Sequence, residues 1–201
     1  SFDLYASTSG RPGTVQRGSA LSLPFADDAL DAIVTDPPYD AMIDYADASD
    51  LWYVWLKRAL GKLDFDFSMT MDPNGGQEKF EEIIVKDSYT SDAEEHRTPA
   101  WYDTKITEAF VEHCRAVHDD GVVTIVFGHN EPEVWRRLLG AIANAGLVLT
   151  GAWPANTEKG GQPGSANINT TLTLSCRPAP PDRPDGSVSQ VDAEVRELVK
   201  G

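Results

Sequence analysis

Apolar positions along this chain alternate between short runs and helical stripes. Residues 31–35 read Asp-Ala-Ile-Val-Thr, a largely β-branched run that meets Pro37 and Pro38. Prolines cannot donate to a sheet ladder and hold the preceding residue extended. A short buried strand ending at Asp36 is expected. Residues 14–20 suggest an earlier strand ending at Gly18. Residues 47–60 carry Leu51, Val54, Trp55 and Leu60 on one helical face, with Lys57 and Arg58 near the carboxyl end. Trp52, Tyr53 and Trp55 are read as core and domain packing, and Asp44, Asp47 and Asp50 as helix-start and solvent groups.

A second helix is expected from Trp101, with Thr104 as N-cap and Ile106, Ala109, Phe110 and Val117 inward. Asp119-Asp120-Gly121 closes it and leads into an unbroken apolar run at 122–127, a buried strand. Asn130 caps a third helix, with Pro132 in its first turn and Val134, Trp135, Leu138, Leu139 and Ile142 inward, ending at Gly146. Residues 147–153 and 169–176 follow as two strands around a glycine-rich loop at 159–164. Helices alternating with strands predict an α/β fold. Residues 1–13 read as a flexible lead-in, 14–178 as the body with an insertion at 61–101, and 179–201 as a proline linker and a short terminal helix over 192–200. His96, in the insertion, reads as a solvated loop histidine.

A chain of 201 residues can bury a real core. No apolar run approaches the ~18 residues of a membrane span, and nothing at the amino end resembles a signal peptide. The cytoplasm is therefore expected, with no membrane partner. Cys114 and Cys176 lie too far apart in sequence for a zinc spacing, so no metal site is expected. Charge cuts against a nucleic-acid surface: 17 Lys and Arg face 32 Asp and Glu, a net charge of −15. Two readings compete. Basic DNA-contacting parts lie elsewhere in a longer polypeptide, or the acidic surface (Asp27-Asp28, Asp119-Asp120) is that of a salt-loving host.

Candidate chemistry concentrates at Asp36-Pro37-Pro38-Tyr39. The carboxyl end of a strand is where open α/β sheets bind ligands. A carboxylate, one or two proline carbonyls and an aromatic ring there suit methyl transfer to the exocyclic amine of a nucleobase. That amine is a poor nucleophile because its lone pair is delocalised into the ring. Asp36 and the Pro37 carbonyl can accept its two N–H bonds and turn the lone pair toward a methyl donor. Tyr39 can stack on the swung-out base, an interaction worth roughly 1–3 kcal/mol. His129, after the 122–127 strand, would lie beside this site and help to position the base.

Asp36-Pro37-Pro38-Tyr39, the run from Tyr45 to Arg58, Val126-Phe127-Gly128-His129 and Trp153-Pro154-Ala155-Asn156-Thr157-Glu158 together resemble the large adenine-specific DNA methylases. Residues 81–85 add a weaker likeness, and the resemblance covers roughly residues 14–178. It implies a class I S-adenosylmethionine-dependent methyltransferase fold. That fold is a Rossmann-like three-layer sandwich with strand order 3-2-1-4-5-7-6 and a terminal antiparallel pair. It also implies site-specific, adenine-directed DNA methylation. Ser19 matches the place of a polar cofactor contact, although many relatives have Asp there. Asp36 would join it in the cofactor site, and Trp153 matches the aromatic that sandwiches the flipped base opposite Tyr39.

Full-length members are multidomain with a zinc ribbon, which this chain lacks. No glycine cluster here follows an apolar strand and opens a helix, so the cofactor site is expected to be incomplete and the first two strands missing. The chain is thus expected to be the catalytic half of the enzyme, inactive alone. It would reach DNA through the full-length protein, and its open strand edge would pair with the missing half or with a second copy. The alternatives are a non-catalytic, partner-dependent subunit of the same fold, or a methyltransferase acting on RNA or on protein glutamine.

Overall fold

The computed structural model describes residues 13–14, 18–41, 43, 45–60, 76–77, 79, 82–85, 97–155, 171–182, 187, 189 and 197. Its elements in chain order are β1 (Leu30–Thr35), α1 (Tyr45–Leu60), α2 (Pro99–Ala116), β2 (Val117–Phe127), α3 (Pro132–Asn144), β3 (Leu147–Ala155) and β4 (Thr171–Pro178). The strands form one mixed sheet in the order β1-β2-β4-β3. β1 runs parallel to β2, with Ile33 opposite Val123 and Thr35 opposite Ile125. β4 runs antiparallel to both β2 and β3. The α/β expectation and the terminal antiparallel pair therefore hold.

Period-two alternation along β2 sets the layers. Val123, Ile125 and Phe127 point to a buried face, while Val122, Thr124 and Val126 turn to the other. On the buried side α2 contributes Ile106 and Phe110, and α3 contributes Val134, Leu138 and Ile142. They meet Leu174 and Cys176 of β4 in one cluster. No helix among the described residues covers the opposite face. Val34, paired with Thr124 there, is 75% exposed. Among the described residues the first strand lies at a sheet edge, and the burial expected of it is not found on its Val34 face. The expected three-layer sandwich has one of its two helical layers here.

Three boundaries also differ from expectation. β2 starts at Val117, so Asp119-Asp120-Gly121 lies within a strand and not in a turn. β1 follows it through a register shift between Leu30 and Ala32, and Gly121 permits the approach: a Cβ there would lie 2.9 Å from the Asp31 carbonyl. α2 is capped by Thr98, whose side chain accepts from the Trp101 amide, with proline opening the helix. Thr104 instead bonds back to the Ala100 carbonyl. The N-cap of α3 is Glu131, not Asn130. Of the strand expected at 14–20, residues 15–17 lie outside the described residues, and residues 18–23 form a turn with a bridge from Ser19 to Ser22. His96, most of the 61–101 insertion, the 159–164 loop and nearly all of the terminal helix lie outside the described residues.

α1 is turned inside out relative to the sequence reading. Its polar face is held down: Lys79 Nζ lies 2.6 Å from both Asp47 and Asp50, and Gln77 Nε2 donates to Ser49 at 2.8 Å. Its apolar face, expected in the core, looks outward, with Trp52 68% and Trp55 60% exposed beside Leu51 and Leu56. Arg58 sits 5.9 Å over the Trp55 ring. No helix among the described residues is long and apolar enough to cross a membrane.

Candidate active site

The motif turn leaves β1 at Thr35 and is fixed on three sides. Tyr39 packs edge-on against Phe127, the last residue of β2, with ring centroids 4.9 Å apart. Its hydroxyl donates to Asp36 Oδ1 at 2.7 Å. Burial, then the Asp36 carboxylate, pushes the Tyr39 phenol well above its ordinary range, so it remains a donor. Behind the turn, Tyr102 of α2 donates its hydroxyl to the Pro38 carbonyl at 2.7 Å, and the Asp40 amide donates to the same oxygen at 3.2 Å. Asp40 takes the left-handed conformation (φ 55°), closing the turn.

These bonds give the two prolines different roles. Pro38 has its carbonyl committed to the protein. No hydrogen bond among the described residues occupies the Pro37 carbonyl, and Asp36 keeps one carboxylate oxygen after serving Tyr39. Asp36 itself is exposed, the Tyr39 ring is half-buried and Pro37 is buried. One surface carboxylate oxygen and one carbonyl of a buried proline thus have no hydrogen-bond partner among the described residues, beside a partly open aromatic ring.

His129 follows Phe127 by two residues and so lies at the same end of the sheet. Its Nδ1 accepts from the Glu131 amide at 3.0 Å, and its carbonyl accepts from Trp135 Nε1 at 2.8 Å. One ring nitrogen is therefore engaged at the start of α3, where it accepts from the amide of the N-cap residue itself. Trp135 in turn packs on Phe127 at 5.2 Å, which gives a chain of rings, Tyr39–Phe127–Trp135, under the motif.

Two expected participants are not brought in. Trp153 stands on β3, three strands from β1 in the sheet order, about 14 Å at the backbone. It lies on the open face, and its indole covers Gly151, where a Cβ would come within 2.6 Å of the ring. Among the described residues the ring and hydrogen-bond partners of Tyr39 are Phe127 and Asp36, not Trp153. Ser19, the expected cofactor contact, uses its hydroxyl to accept from the Leu21 amide at 3.2 Å within its own turn. That turn lies outside any strand, and among the described residues no glycine turn between a strand and a helix faces Asp36. The described residues therefore do not by themselves form a cradle for S-adenosylmethionine. No group of three or more metal-ligating side chains occurs among them either.

The chain matches no model of a known protein family and no curated protein. The site must be read from its own geometry. Sequence reasoning missed Tyr102, Arg137, Asp103 and Asp40, and saw residues 81–85 only as a likeness. Ile84 and Val85 are buried, and the Val85 amide donates to the Asp40 carbonyl at 3.2 Å. Tyr102 was detectable only as an inward aromatic on an amphipathic helix. Arg137 is 97 residues from Asp40, and no local pattern links them.

Proposed function

We propose that this chain is the catalytic half of an S-adenosylmethionine-dependent DNA amino-methyltransferase, with adenine the favoured base. The observation that carries the reading is the asymmetry of the two prolines. Pro38 is tied down by Tyr102 and Asp40, which leaves Pro37 and one oxygen of Asp36 to accept from an amine. Holding both N–H bonds of that amine would draw its nitrogen toward tetrahedral geometry and aim the lone pair away from both acceptors. The Tyr39 ring would stack on the base. The protein's contribution is then orientation and electrostatics at a fixed turn. The methyl donor would be held by residues outside this set.

The sheet supports the same reading. An order of β1-β2-β4-β3, parallel then antiparallel, matches the 4-5-7-6 half of a class I methyltransferase sheet. In that scheme the free edge of β1 is where the cofactor half would add its strands, with self-association as the other way to cover it. Val34 and the apolar face of α1 would be covered in the same event, and DNA would be reached through the complete protein. Both cysteines are unpaired, which fits a reducing compartment, the cytoplasm.

A second reading, a non-catalytic subunit of this fold, is favoured by the net charge of −15. To separate the two, the chain is combined with its complementary half and incubated with labelled S-adenosylmethionine and DNA, followed by nucleoside analysis. N6-methyladenine is expected. Label on cytosine would change the base, and label on RNA or on a glutamine peptide would change the substrate. No label on any of them would leave the subunit reading.

A further inference from the structure

Behind the motif turn lies a cluster of charge that the acceptor geometry does not use directly. Arg137, on α3, has a largely buried side chain and reaches three parts of the chain at once. Its Nε donates to both carboxylate oxygens of Asp103 on α2, at 2.8 and 2.9 Å. Its Nη2 donates to Asp40 Oδ1 at 2.8 Å and, more weakly, to the Pro99 carbonyl at 3.3 Å. The guanidinium lies 5.8 Å over the Tyr102 ring, and Tyr102 holds the Pro38 carbonyl. Asp40 is only 9% exposed and sits in a left-handed conformation that a non-glycine residue adopts at a cost.

We propose that Arg137 is the positioning residue of this site, a latch that holds Asp40, and through it the Asp36–Tyr39 turn, against α2. A buried carboxylate stripped of its cation is strongly unfavourable, so without Arg137 the Asp40 side chain must seek water. Moving Asp40 releases two bonds in sequence: its amide from the Pro38 carbonyl, and its carbonyl from the Val85 amide. The Pro38 carbonyl would then be held by Tyr102 alone, and the Pro37 carbonyl would lose its fixed direction relative to Asp36. Nη2 alone lies 2.8 Å from both Asp40 and Asp103, and Nε adds the second grip on Asp103 while the guanidinium plane lies over Tyr102. Lysine can supply the charge between the two carboxylates but not the second N–H or the planar group, so it replaces the latch only in part.

The catalytic consequence rests on the methyl-transfer reading, whereas the latch does not, so the test has two arms. In the first, amide hydrogen exchange is followed in the whole chain for Asp40 and Val85, with Ile125 in β2 as the control. Arg137→Met is expected to speed exchange at Asp40 and Val85 about tenfold or more, the effect of losing a charge-assisted bond, and to leave Ile125 unchanged. Arg137→Lys should restore part of the protection. If Arg137→Met does not fold, Asp103→Asn, which weakens only the outer grip, should give a smaller increase at the same two amides. Unchanged exchange at Asp40 and Val85 in the folded variants overturns the latch. In the second arm, with the cofactor half added, Arg137→Met is expected to lower kcat on the order of 100-fold with KM for DNA little changed. A loosened turn with full kcat would overturn the positioning role. A loosened turn in an assembly whose unmodified form transfers no methyl group would remove the functional reading and leave the latch standing.

Discussion

α3 and α1 are both amphipathic helices, and they solve opposite problems. α3 lays Val134, Leu138, Ala141 and Ile142 against the sheet, where all four are buried. α1 keeps its polar side on Lys79 and Gln77 and presents Leu51, Trp52, Trp55 and Leu56 to solvent. The strands repeat the contrast: β2 is flanked on both sides, by β1 and β4, whereas among the described residues β1 has an open edge and an open face. An apolar stripe therefore says that a surface is to be covered. It does not say which part of a protein covers it. Here the open helix and the open strand flank the motif turn in sequence, as expected if a complementary half completes the site.

Breaking the covered side should have the largest effect. Phe110→Ala, at a fully buried position between α2 and the sheet, should cost about 3–5 kcal/mol of unfolding free energy in urea titrations. The matching change on the open side, Trp55→Ala, should stay within about 0.5 kcal/mol in the chain alone. Equal losses at the two sites would mean that α1 packs as α3 does. The contrast sharpens on assembly. Acrylamide quenching assigned to Trp52 and Trp55, by difference from the Trp52→Phe/Trp55→Phe variant, should be strong in the chain alone and fall when the cofactor half binds. Calorimetry should likewise detect S-adenosylmethionine binding only in the assembly. Micromolar binding by the chain alone would mean that its own residues complete a cofactor site.

Much of this was legible in sequence, and the gaps have physical causes. The β-branched run before Pro37 and Pro38 located β1 and the motif, because prolines end a ladder wherever they fall. Asp119-Asp120-Gly121 reads as a turn by local chemistry. β2 nevertheless runs through it, because Leu30 pairs with Val117 and Gly121 leaves room for the neighbouring backbone. Thr98-Pro99 carries a helix-start signal, but the apolar period begins only at Trp101 and hides it. The Arg137–Asp40 pair could not be found, since contacts between distant elements leave no local period. The stripe of α1 was legible, but its outward direction was not.

The smallest expected effect concerns the loop that leads into β1. Glu112 of α2 accepts from the Leu23 amide at 2.7 Å and pairs with Arg115, which also holds Asp27. The Arg115 guanidinium, helped by the Leu23 amide, holds the Glu112 carboxyl down at about 2. A folded value below the unfolded one means that the unfolded chain takes up protons first on acidification. Its contribution is therefore complete above about pH 4.5 and is lost as pH falls toward 2. Burial lowers His113 in the same sense, so its contribution fades below its ordinary range near 6.5. Glu112→Gln should flatten the stability-against-pH curve below about pH 4.5 and leave the His113 limb in place. An unchanged acid limb would mean that Glu112 does not anchor this loop.

The central claim is that the Asp36–Tyr39 turn orients an amine for methyl transfer, and Asp36→Ala tests it most directly. The variant removes one acceptor at an exposed position, so the fold should stand. In the assembly of the chain with its cofactor half, single-turnover methyl transfer to DNA should fall by at least about 100-fold, the usual effect of removing an oriented polar group. DNA binding should change little. Methyl transfer at the unmodified rate by Asp36→Ala would contradict the account.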